Sequence, residues 1–254
     1  MRMRFKPYAH DELMAADFHV HEPLIWGGKW HGQYARPEQP FILELGCGDG
    51  TLWTDNLSLL PEDISITLSD ISSGMLRDAR RAIGSSDTRF AFRAFDCRKI
   101  PCKDESFDLV IANHVLFYCD DIPSVLKEVR RVLAPGGRFL CSAYGKAHMQ
   151  EVSQLVQDFD ERIVLSADRL YERFGRENGQ SILAPFFPKA QWLSYEDCLL
   201  VQDAEPLISY VLSCHGNQNQ YILDRYKEFR AYTARKTAKG FRITKDAGVF
   251  LCEK

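Results

Sequence analysis

The sequence predicts an α/β fold: a seven-stranded, mostly parallel sheet with helices on both faces and an antiparallel last strand. Two observations lead to this prediction. Apolar strand-like runs alternate with segments of helical spacing between Phe41 and Tyr144, which is typical of parallel sheets covered on both faces. The chain then returns to strand-like runs at 241–244 and 248–252, which we expect to complete the sheet.

The first predicted strand ends in a glycine-rich turn. Its apolar run, 41–45, leads into Gly46-Cys47-Gly48-Asp49-Gly50, and a helix is expected to open at Thr51. A sharp strand-to-helix turn needs residues that tolerate positive φ or close backbone approach. Such a turn presents backbone amides to the crevice above a parallel sheet. It therefore predicts a cofactor cradle.

The following elements continue the alternation. A strand at 64–69 ends at Asp70, and Ser72 or Ser73 can cap a helix that ends at Gly84. Further strands are predicted at 88–95, 107–113 and 138–143, with a helix at 121–133 and a turn at 135–137. Beyond Tyr144 the pattern predicts a helix at 149–159, a strand at 191–201, and helices near 203–213 and 218–238.

These elements suggest a single domain with caps. We expect an N-terminal cap over 1–40, a cofactor-binding core over 41–146, and a segment over 147–254 that supplies substrate-lid helices and completes the sheet.

Composition excludes several classes of protein. In 254 residues, 45% are hydrophobic and 26% charged, which is ordinary for a globular domain. The formal net charge of −3 argues against bulk attraction to nucleic acid or to an anionic membrane. No apolar run approaches the roughly 20 residues of a membrane span. The first residues do not resemble a signal peptide, and the eight cysteines form no CxxC pair, so we expect a cytoplasmic protein.

The order of motifs resembles the class I S-adenosylmethionine-dependent methyltransferases over about residues 41–144. The turn at 46–50 lacks the third-glycine spacing of the dinucleotide-binding fingerprint. Asp70 ends the second strand about 20 residues later, and Asp96-Cys97 ends the third. Segments 106–116 and 126–137 are similar to that family's fourth strand, following helix and entry to the fifth strand. The resemblance implies a Rossmann-like fold and S-adenosylmethionine as cofactor, with S-adenosylhomocysteine as product.

The resemblance also implies roles for particular residues. Asp70 would accept hydrogen bonds from both ribose hydroxyls, and Asp96 with the Cys97 amide would read the adenine. Ile71 and Met75 would pack on the adenine, although an apolar helix face is more often core. The full set expected to bind the cofactor is Glu44, Gly46, Cys47, Gly48, Asp70, Ile71, Met75, Asp96, Cys97, Asn113 and His114.

One residue is a candidate for catalysis. His114 would lie beneath the sulfonium together with Asn113, where an imidazole can take a proton from the acceptor. The alternative is that His114 only lines the pocket. His215 is a weaker candidate for the same role.

The acceptor is expected to be a small molecule methylated at nitrogen or oxygen. Asn113-His114-Val115-Leu116 lacks the [DNS]PP[YF] pattern of enzymes that act on exocyclic amines, and Cys102 precedes the fourth strand, unlike the nucleophile of cytosine C5 enzymes. An apolar or aromatic acceptor would suit a group of aromatic side chains that could equally be packing residues: Trp26, Trp30, Phe186, Phe187 and Trp192.

Several alternatives stay open. The basic segment 225–245 is either a solvated helix face or a grip for RNA or another anionic substrate, so the chain could be an RNA or protein methyltransferase. It could also bind S-adenosylmethionine without catalysis, or be a dehydrogenase. His19 and His21 could ligate a metal, but we expect no metal and interpret 1–40 as a lid. Nucleic acid and membrane partners are not expected, and the sequence does not indicate an oligomeric state.

Overall fold

The computed structural model describes residues 40–166 and 169–254, so the N-terminal cap predicted over 1–40, with His19, His21, Trp26 and Trp30, lies outside the described residues apart from Pro40. One sheet contains seven strands in the order β3-β2-β1-β4-β5-β7-β6. The strands are β1 Phe41–Leu45, β2 Ser65–Asp70, β3 Phe90–Ala94, β4 Phe107–Ala112, β5 Leu133–Tyr144, β6 Gln191–Val201 and β7 Phe241–Glu253.

Helices connect these strands. They are α1 Thr51–Thr54, α2 Ser73–Ile83, α3 Ile122–Val132, α4 Gln150–Phe159, α5 Leu170–Arg173, α6 Gly179–Leu183, α7 Ala204–Ser213, α8 Gln218–Ile222 and α9 Tyr226–Thr237. Short 3₁₀ turns occur at Leu57–Leu59, Leu116–Tyr118 and Leu223–Arg225.

Parallel pairing places the ends of the first four strands along one edge. β1 pairs in parallel with β2 and with β4, β2 with β3, and β4 with β5. The last strand is antiparallel, and helices surround the sheet. The predicted fold class is therefore confirmed. Because all the parallel strands end on the same side, the loops after β1, β2, β3 and β4 meet at one edge.

Local signals explain where the helices begin and end. The Ser72 hydroxyl accepts a hydrogen bond from the Met75 amide at 3.3 Å, so Ser72 is the N-cap of α2, and Gly84 with φ 98° ends the helix. The Asp121 carboxylate accepts from the Ser124 amide at 3.1 Å and caps α3. The sequence pattern predicted Ser72 or Ser73 as the cap of α2 and a helix that begins at Asp121.

Contacts divide the described chain into two compact units. The larger unit comprises 40–144, 170–194 and 248–254, and the smaller comprises 145–166, 169 and 195–247. The core of the larger unit is built from β-strand residues and the buried face of α3, including Val125, Val129 and Phe139. The smaller unit has its own core around Leu155, Ile208 and Phe229.

Two strands are longer than predicted. The turn predicted at 135–137 lies inside β5, where the register steps from Phe107–Leu133 to Leu109–Arg138 and Gly136 has φ 75°. Between these two pairs β4 advances by two residues and β5 by five, so the turn is accommodated as an irregularity of the strand. The runs predicted at 241–244 and 248–252 form the single strand β7.

Aromatic residues proposed for the acceptor chamber pack into the larger unit instead. Phe187 is fully buried with its ring centroid 5.6 Å from that of Phe139. The Trp192 ring lies 4.7 Å from Phe250, and Phe186 packs against the same core. In the described part of the chain, no helix is long and apolar enough to cross a membrane.

Candidate cofactor site

A cavity of about 550 Å³ lies at the carboxyl ends of β1 to β4 in the larger unit. Its volume is within the usual range for a small-molecule site. All the residues predicted to bind the cofactor line it except Glu44 and Cys47: Gly46, Gly48, Asp70, Ile71, Met75, Asp96, Cys97, Asn113 and His114. The four loops that sequence analysis singled out are therefore brought together.

The turn after β1 has the backbone conformation that its glycines permit. Gly46, Gly48 and Gly50 have φ of 69°, 56° and 83°, all in the left-handed region. A Cβ on Gly46 would lie 2.5 Å from Cγ2 of Val115, so the loop after β4 approaches the turn closely. The helix that follows, α1, is a single turn, and the Gly48 amide donates a hydrogen bond to Asp70 at 3.1 Å.

Glu44 and Cys47 support this turn from within. Glu44 is buried, and one carboxylate oxygen accepts a hydrogen bond from Nε1 of Trp53 at 2.5 Å. The Ser69 hydroxyl donates to the Glu44 carbonyl at 2.7 Å, and the Cys47 amide donates to the Ser69 carbonyl at 2.9 Å. Burial raises the pKa of Glu44 to about 7. Both residues therefore tie β1 to β2, and their part in binding the cofactor stays a prediction.

Asp70 is held by two loops at once. One of its oxygens accepts from the Gly48 amide at 3.1 Å, and the other from the Ser72 amide at 2.7 Å. An ionised carboxylate has about four acceptor positions, so two backbone bonds leave capacity for a ligand's hydroxyl groups. The geometry orients Asp70 toward the cavity, as a ribose-binding residue requires.

Ile71 and Met75 are not core residues. Ile71 is 76% exposed and Met75 is 46% exposed, and both line the cavity beside Asp70. The alternative that this helix face is buried therefore fails for these two residues, whereas Leu76 and Ala79 on the same helix are buried. Two exposed apolar side chains in a cavity wall suit a planar apolar ring.

Asp96 lies in the cavity wall and also closes the turn after β3. One of its oxygens accepts from the Arg98 amide at 2.9 Å in this turn. The Arg98 guanidinium pairs with the same carboxylate at 2.6 Å and holds the pKa of Asp96 below its usual range. Arg98 also lines the cavity, so the charge of Asp96 is partly compensated there.

His114 adopts an unusual backbone conformation at the end of β4. Its φ is 53°, which is uncommon for a residue with a side chain, and its amide donates to the Ser142 hydroxyl at 3.0 Å. The imidazole stacks on Tyr144 with ring centroids 4.5 Å apart. These contacts fix the ring at the cavity wall. His215 does not line this cavity; it is an exposed residue just after α7.

Asn113 offers a hydrogen-bond donor to the cavity. Its Nδ2 is buried, and no partner for it exists among the residues that the structure describes. A buried amide without a partner is costly, so such a group in a cavity wall is typical of a ligand contact. Together with the left-handed glycine turn and the oriented Asp70, it shows that the residues present fit an adenosyl ligand with an amino-acid tail.

Besides Arg98, the cavity is lined by seven residues that were not predicted to bind the cofactor: Ser69, Ser72, Phe95, Val115, Tyr118, Cys119 and Asp120. Val115, Tyr118 and Cys119 follow β4, and Tyr118 is 67% exposed. Val115 directly follows Asn113 and His114, which was its signal, whereas Tyr118 and Cys119 lie further along the chain and had none. Within the described residues, no three His, Cys, Asp or Glu side chains form a group that could hold a metal ion.

Comparisons with known proteins agree with this geometry. The family model described as a methyltransferase domain, Methyltransf_11, matches residues 43–141. A sterol 4-C-methyltransferase of Caenorhabditis elegans is 30% identical over 51% of this chain and 42% of its own length. A tRNA (guanine-N(7)-)-methyltransferase of Clostridium perfringens is 42% identical over 33% of this chain and 37% of its own length. The chain thus spans less than half of either relative.

A solved structure shares the fold. The YcgJ protein of Bacillus subtilis superposes with a TM-score of 0.59 at 17% identity, covering 93% of this chain and 98% of that one.

Proposed function

Because the chain contains a class I S-adenosylmethionine-dependent methyltransferase domain, we propose that it is an enzyme that methylates a nitrogen or oxygen atom of a small-molecule acceptor. S-adenosylmethionine is the cofactor of this domain. The observation that carries the proposal is a cavity lined both by Asp70, which is held by two backbone amides, and by Asn113, whose buried side-chain amide has no partner among the described residues.

We assign the cofactor's parts to residues as follows. Asp70 binds the ribose hydroxyls, Asp96 and the Cys97 amide bind the adenine edge, and Ile71 and Met75 cover the adenine face. The glycine turn and Asn113 hold the amino-acid tail. These assignments are supported by the lining of the cavity and by the exposure of Ile71 and Met75.

Little acid–base chemistry is needed from the protein. The sulfonium supplies an already activated methyl group, so the protein has to align the acceptor and exclude water. His114 is the residue we assign to take the acceptor's proton, since its ring is fixed by Tyr144 at the cavity wall. Nitrogen and oxygen acceptors require only such a proton transfer, whereas an unactivated carbon requires a stronger base. The sterol 4-C-methyltransferase among the relatives makes carbon the competing acceptor atom.

The cofactor assignment is tested at Asp70. Asp70→Ala removes a charged acceptor of ribose hydroxyls, and we expect S-adenosylhomocysteine to bind about 10 to 150-fold more weakly by calorimetry. Asp78→Ala is the matched control, because Asp78 is an exposed acid of α2, the helix after Asp70, and pairs with Arg81 outside the cavity. If the two variants bind S-adenosylhomocysteine equally well, the assignment of Asp70 to the ribose is wrong.

The acceptor is tested by chemistry class. The purified chain is incubated with methyl-deuterated cofactor and panels of amines, phenols, carboxylates and activated carbon acids, and products are located by mass spectrometry and NMR. Label on nitrogen or oxygen is expected. Label on carbon only would replace the acceptor class, and binding of the cofactor without any turnover would favour a non-catalytic binding protein.

His114→Gln should lower kcat by about 10² to 10⁴-fold if His114 is the base.

RNA is a weaker candidate acceptor, although one relative acts on tRNA by name. The basic segment 225–245 is engaged within the smaller unit. Arg225 pairs with Asp160 at 3.1 Å, Lys236 with Asp158 at 3.4 Å, and Arg230 with Glu205. Cations that are paired in this way attract phosphates less than free ones do, and the formal net charge is −3. These pairs support the solvated-face interpretation.

The remaining sequence-based assignments are part of the same proposal. We assign 41–146 to cofactor binding, and 1–40 with the helices of 147–254 to acceptor recognition. A reducing compartment such as the cytoplasm suits the eight cysteines, all of which are free thiols.

A further inference from the structure

Two cysteines meet in the wall of the cofactor cavity. Cys97 follows β3 and Cys119 follows the 3₁₀ turn Leu116–Tyr118, and their Sγ atoms are 3.7 Å apart. Both line the cavity and both are half-buried, so small solutes can reach them. A second pair in the same unit, Cys141 and Cys252, is also in contact but is fully buried.

The two sulfur atoms at the cavity are chemically different. The Cys119 thiol hydrogen-bonds to Cys97 and so holds the pKa of Cys97 below its usual range, with a smaller contribution from Arg98. The same interaction, together with burial, raises the pKa of Cys119. Since the thiolate is the nucleophilic form, Cys97 is the thiol that attacks and Cys119 the one that resolves.

We propose that Cys97 and Cys119 are a peroxide-sensitive thiol pair whose oxidation to a disulfide weakens cofactor binding. The Cys97 thiolate attacks one peroxide oxygen, the O–O bond breaks, and the other oxygen leaves as water or an alcohol. Cys97 is then a sulfenic acid. Cys119 attacks its sulfur, the S–S bond forms, and the sulfenic oxygen leaves as water. Two thiols are oxidised and one peroxide is reduced.

The disulfide alters the adenine side of the cavity. A sulfur–sulfur bond is about 2 Å long, so the two atoms have to approach by roughly 1.7 Å from their present 3.7 Å. The loop after β3, which contributes Asp96 and Cys97, moves relative to the loop after β4. The effect on the cofactor rests on the proposed function, whereas formation of the cross-link does not.

Linkage makes the effect reciprocal. If the disulfide lowers cofactor affinity tenfold, the cofactor must favour the dithiol by the same factor. For a two-electron couple, tenfold corresponds to a shift of about 30 mV toward a less negative reduction potential. The potential of the pair should therefore rise by about that amount when saturating S-adenosylhomocysteine is present.

The experiment compares reduced and hydrogen peroxide-treated protein. Peptide mapping by mass spectrometry is expected to find a 97–119 disulfide and no 141–252 disulfide. Calorimetry is expected to give at least a tenfold higher Kd for S-adenosylhomocysteine after oxidation, restored by dithiothreitol. Cys119→Ser should show the same Kd before and after peroxide. Cys102→Ser, which changes a half-buried thiol outside the cavity, should respond as the wild type does.

The outcomes separate the two proposals. Absence of a 97–119 cross-link, with peroxide consumed, overturns the thiol pair. A cross-link that changes Kd less than twofold overturns its effect on the cofactor. Reduced protein that binds no S-adenosylhomocysteine overturns the proposed function, while the cross-link is still judged by the peptide map. Circular dichroism of each variant ensures that a changed Kd is read only from folded protein.

Discussion

Gly46 and Gly48 share a left-handed backbone but differ in their surroundings. A Cβ on Gly46 would lie 2.5 Å from Cγ2 of Val115, whereas nothing lies within 4 Å of a Cβ on Gly48. The left-handed conformation costs a residue with a side chain about 1–2 kcal/mol at either position. Overpacking adds about 1–3 kcal/mol at Gly46 alone. The two glycines therefore separate strain in the backbone from crowding between loops.

We predict that Gly46→Ala lowers the free energy of unfolding by about 2–5 kcal/mol and Gly48→Ala by about 1–2 kcal/mol. Urea denaturation of both variants measures this. Val115→Ala removes Cγ2, so in that background the penalty of Gly46→Ala should shrink toward that of Gly48→Ala. Equal penalties at the two glycines in the wild-type background would contradict the close approach of the β4 loop.

Glu44 makes the stability of the protein depend on pH. Its pKa in the folded chain is about 7, against about 4.5 in the unfolded chain, because burial disfavours the charge. Between these values the folded state binds more protons than the unfolded state does. The free energy of unfolding therefore falls as pH rises from 4.5 to 7, and the stabilisation is fully present only below 4.5.

We predict that Glu44→Gln flattens this dependence. Glutamine keeps an acceptor for Trp53 and cannot ionise, so the variant should gain on the order of 3 kcal/mol over the wild type between pH 5 and pH 8. Urea denaturation without cofactor at both pH values measures the gain. Exposed Glu62, replaced by Gln, is the control and should follow the wild type. Parallel profiles for Glu44→Gln and wild type would mean that Glu44 ionises normally.

At the residue scale, the sequence predicts which side chains have suitable chemistry for the site better than it predicts which of them lie close together. Asp70 and Asn113 were found because each ends a strand, and parallel strands must end together. Cys119 and Tyr118 could not be found in this way, since they follow or form the 3₁₀ turn after β4, where Cys119 contacts Cys97 and Tyr118 lines the cavity. Glu44 was expected to bind the cofactor. It does not line the cavity, and its carboxylate accepts a hydrogen bond from Trp53 of α1 instead.

At the scale of elements, α2 positions one wall of the cavity. It begins directly after Asp70 and Ile71, and it carries Met75. The sequence left Ser72 and Ser73 as alternative caps, and the structure distinguishes them. The Ser72 hydroxyl accepts from the Met75 amide, while the Ser73 hydroxyl accepts from Arg77 at 3.4 Å on the exposed surface.

We predict that Ser72→Ala lowers the free energy of unfolding by about 1 kcal/mol, because an N-terminal amide of α2 loses its acceptor. Ser73→Ala should stay within about 0.5 kcal/mol of the wild type, as surface substitutions usually do. Thermal and urea denaturation of the two variants provide the comparison. A larger loss of stability for Ser73→Ala than for Ser72→Ala would show that Ser73, and not Ser72, is the N-cap of α2.

Elements with local signals were predicted well, and those that depend on distant partners were not. The ends of α2 and α3 follow from Ser72, Gly84 and Asp121. By contrast, Lys245 and Asp246 interrupt the apolar pattern of β7, so it was predicted as two runs. Lys245 is buried 3.6 Å from Asp197, and Asp246 accepts amide hydrogen bonds from Gly145 and Ala147. Sequence pattern alone does not reveal such compensating partners.

At the scale of the whole molecule, charge decides between a small acceptor and RNA. The formal net charge is −3, and within the smaller unit acidic side chains hold several cations of 225–245. Affinity for single-stranded RNA falls with salt by a log–log slope of about −0.7 for each phosphate neutralised. A segment in which several cations are already paired should neutralise fewer phosphates than its formal charge suggests, so its binding should be weak and its slope shallow.

We predict that filter binding detects no retention of bulk tRNA by the wild type at 150 mM salt. The double variant Asp158→Asn with Glu205→Gln releases Lys236 and Arg230 from their acidic partners. It should therefore bind RNA more tightly, and the slope of its salt dependence should correspond to about one to two more neutralised phosphates. Asp78→Asn with Glu62→Gln changes the net charge equally but releases no cation of the basic segment, so this control should gain less. Tight, steeply salt-dependent binding by the wild type would contradict this prediction and would favour RNA as the acceptor.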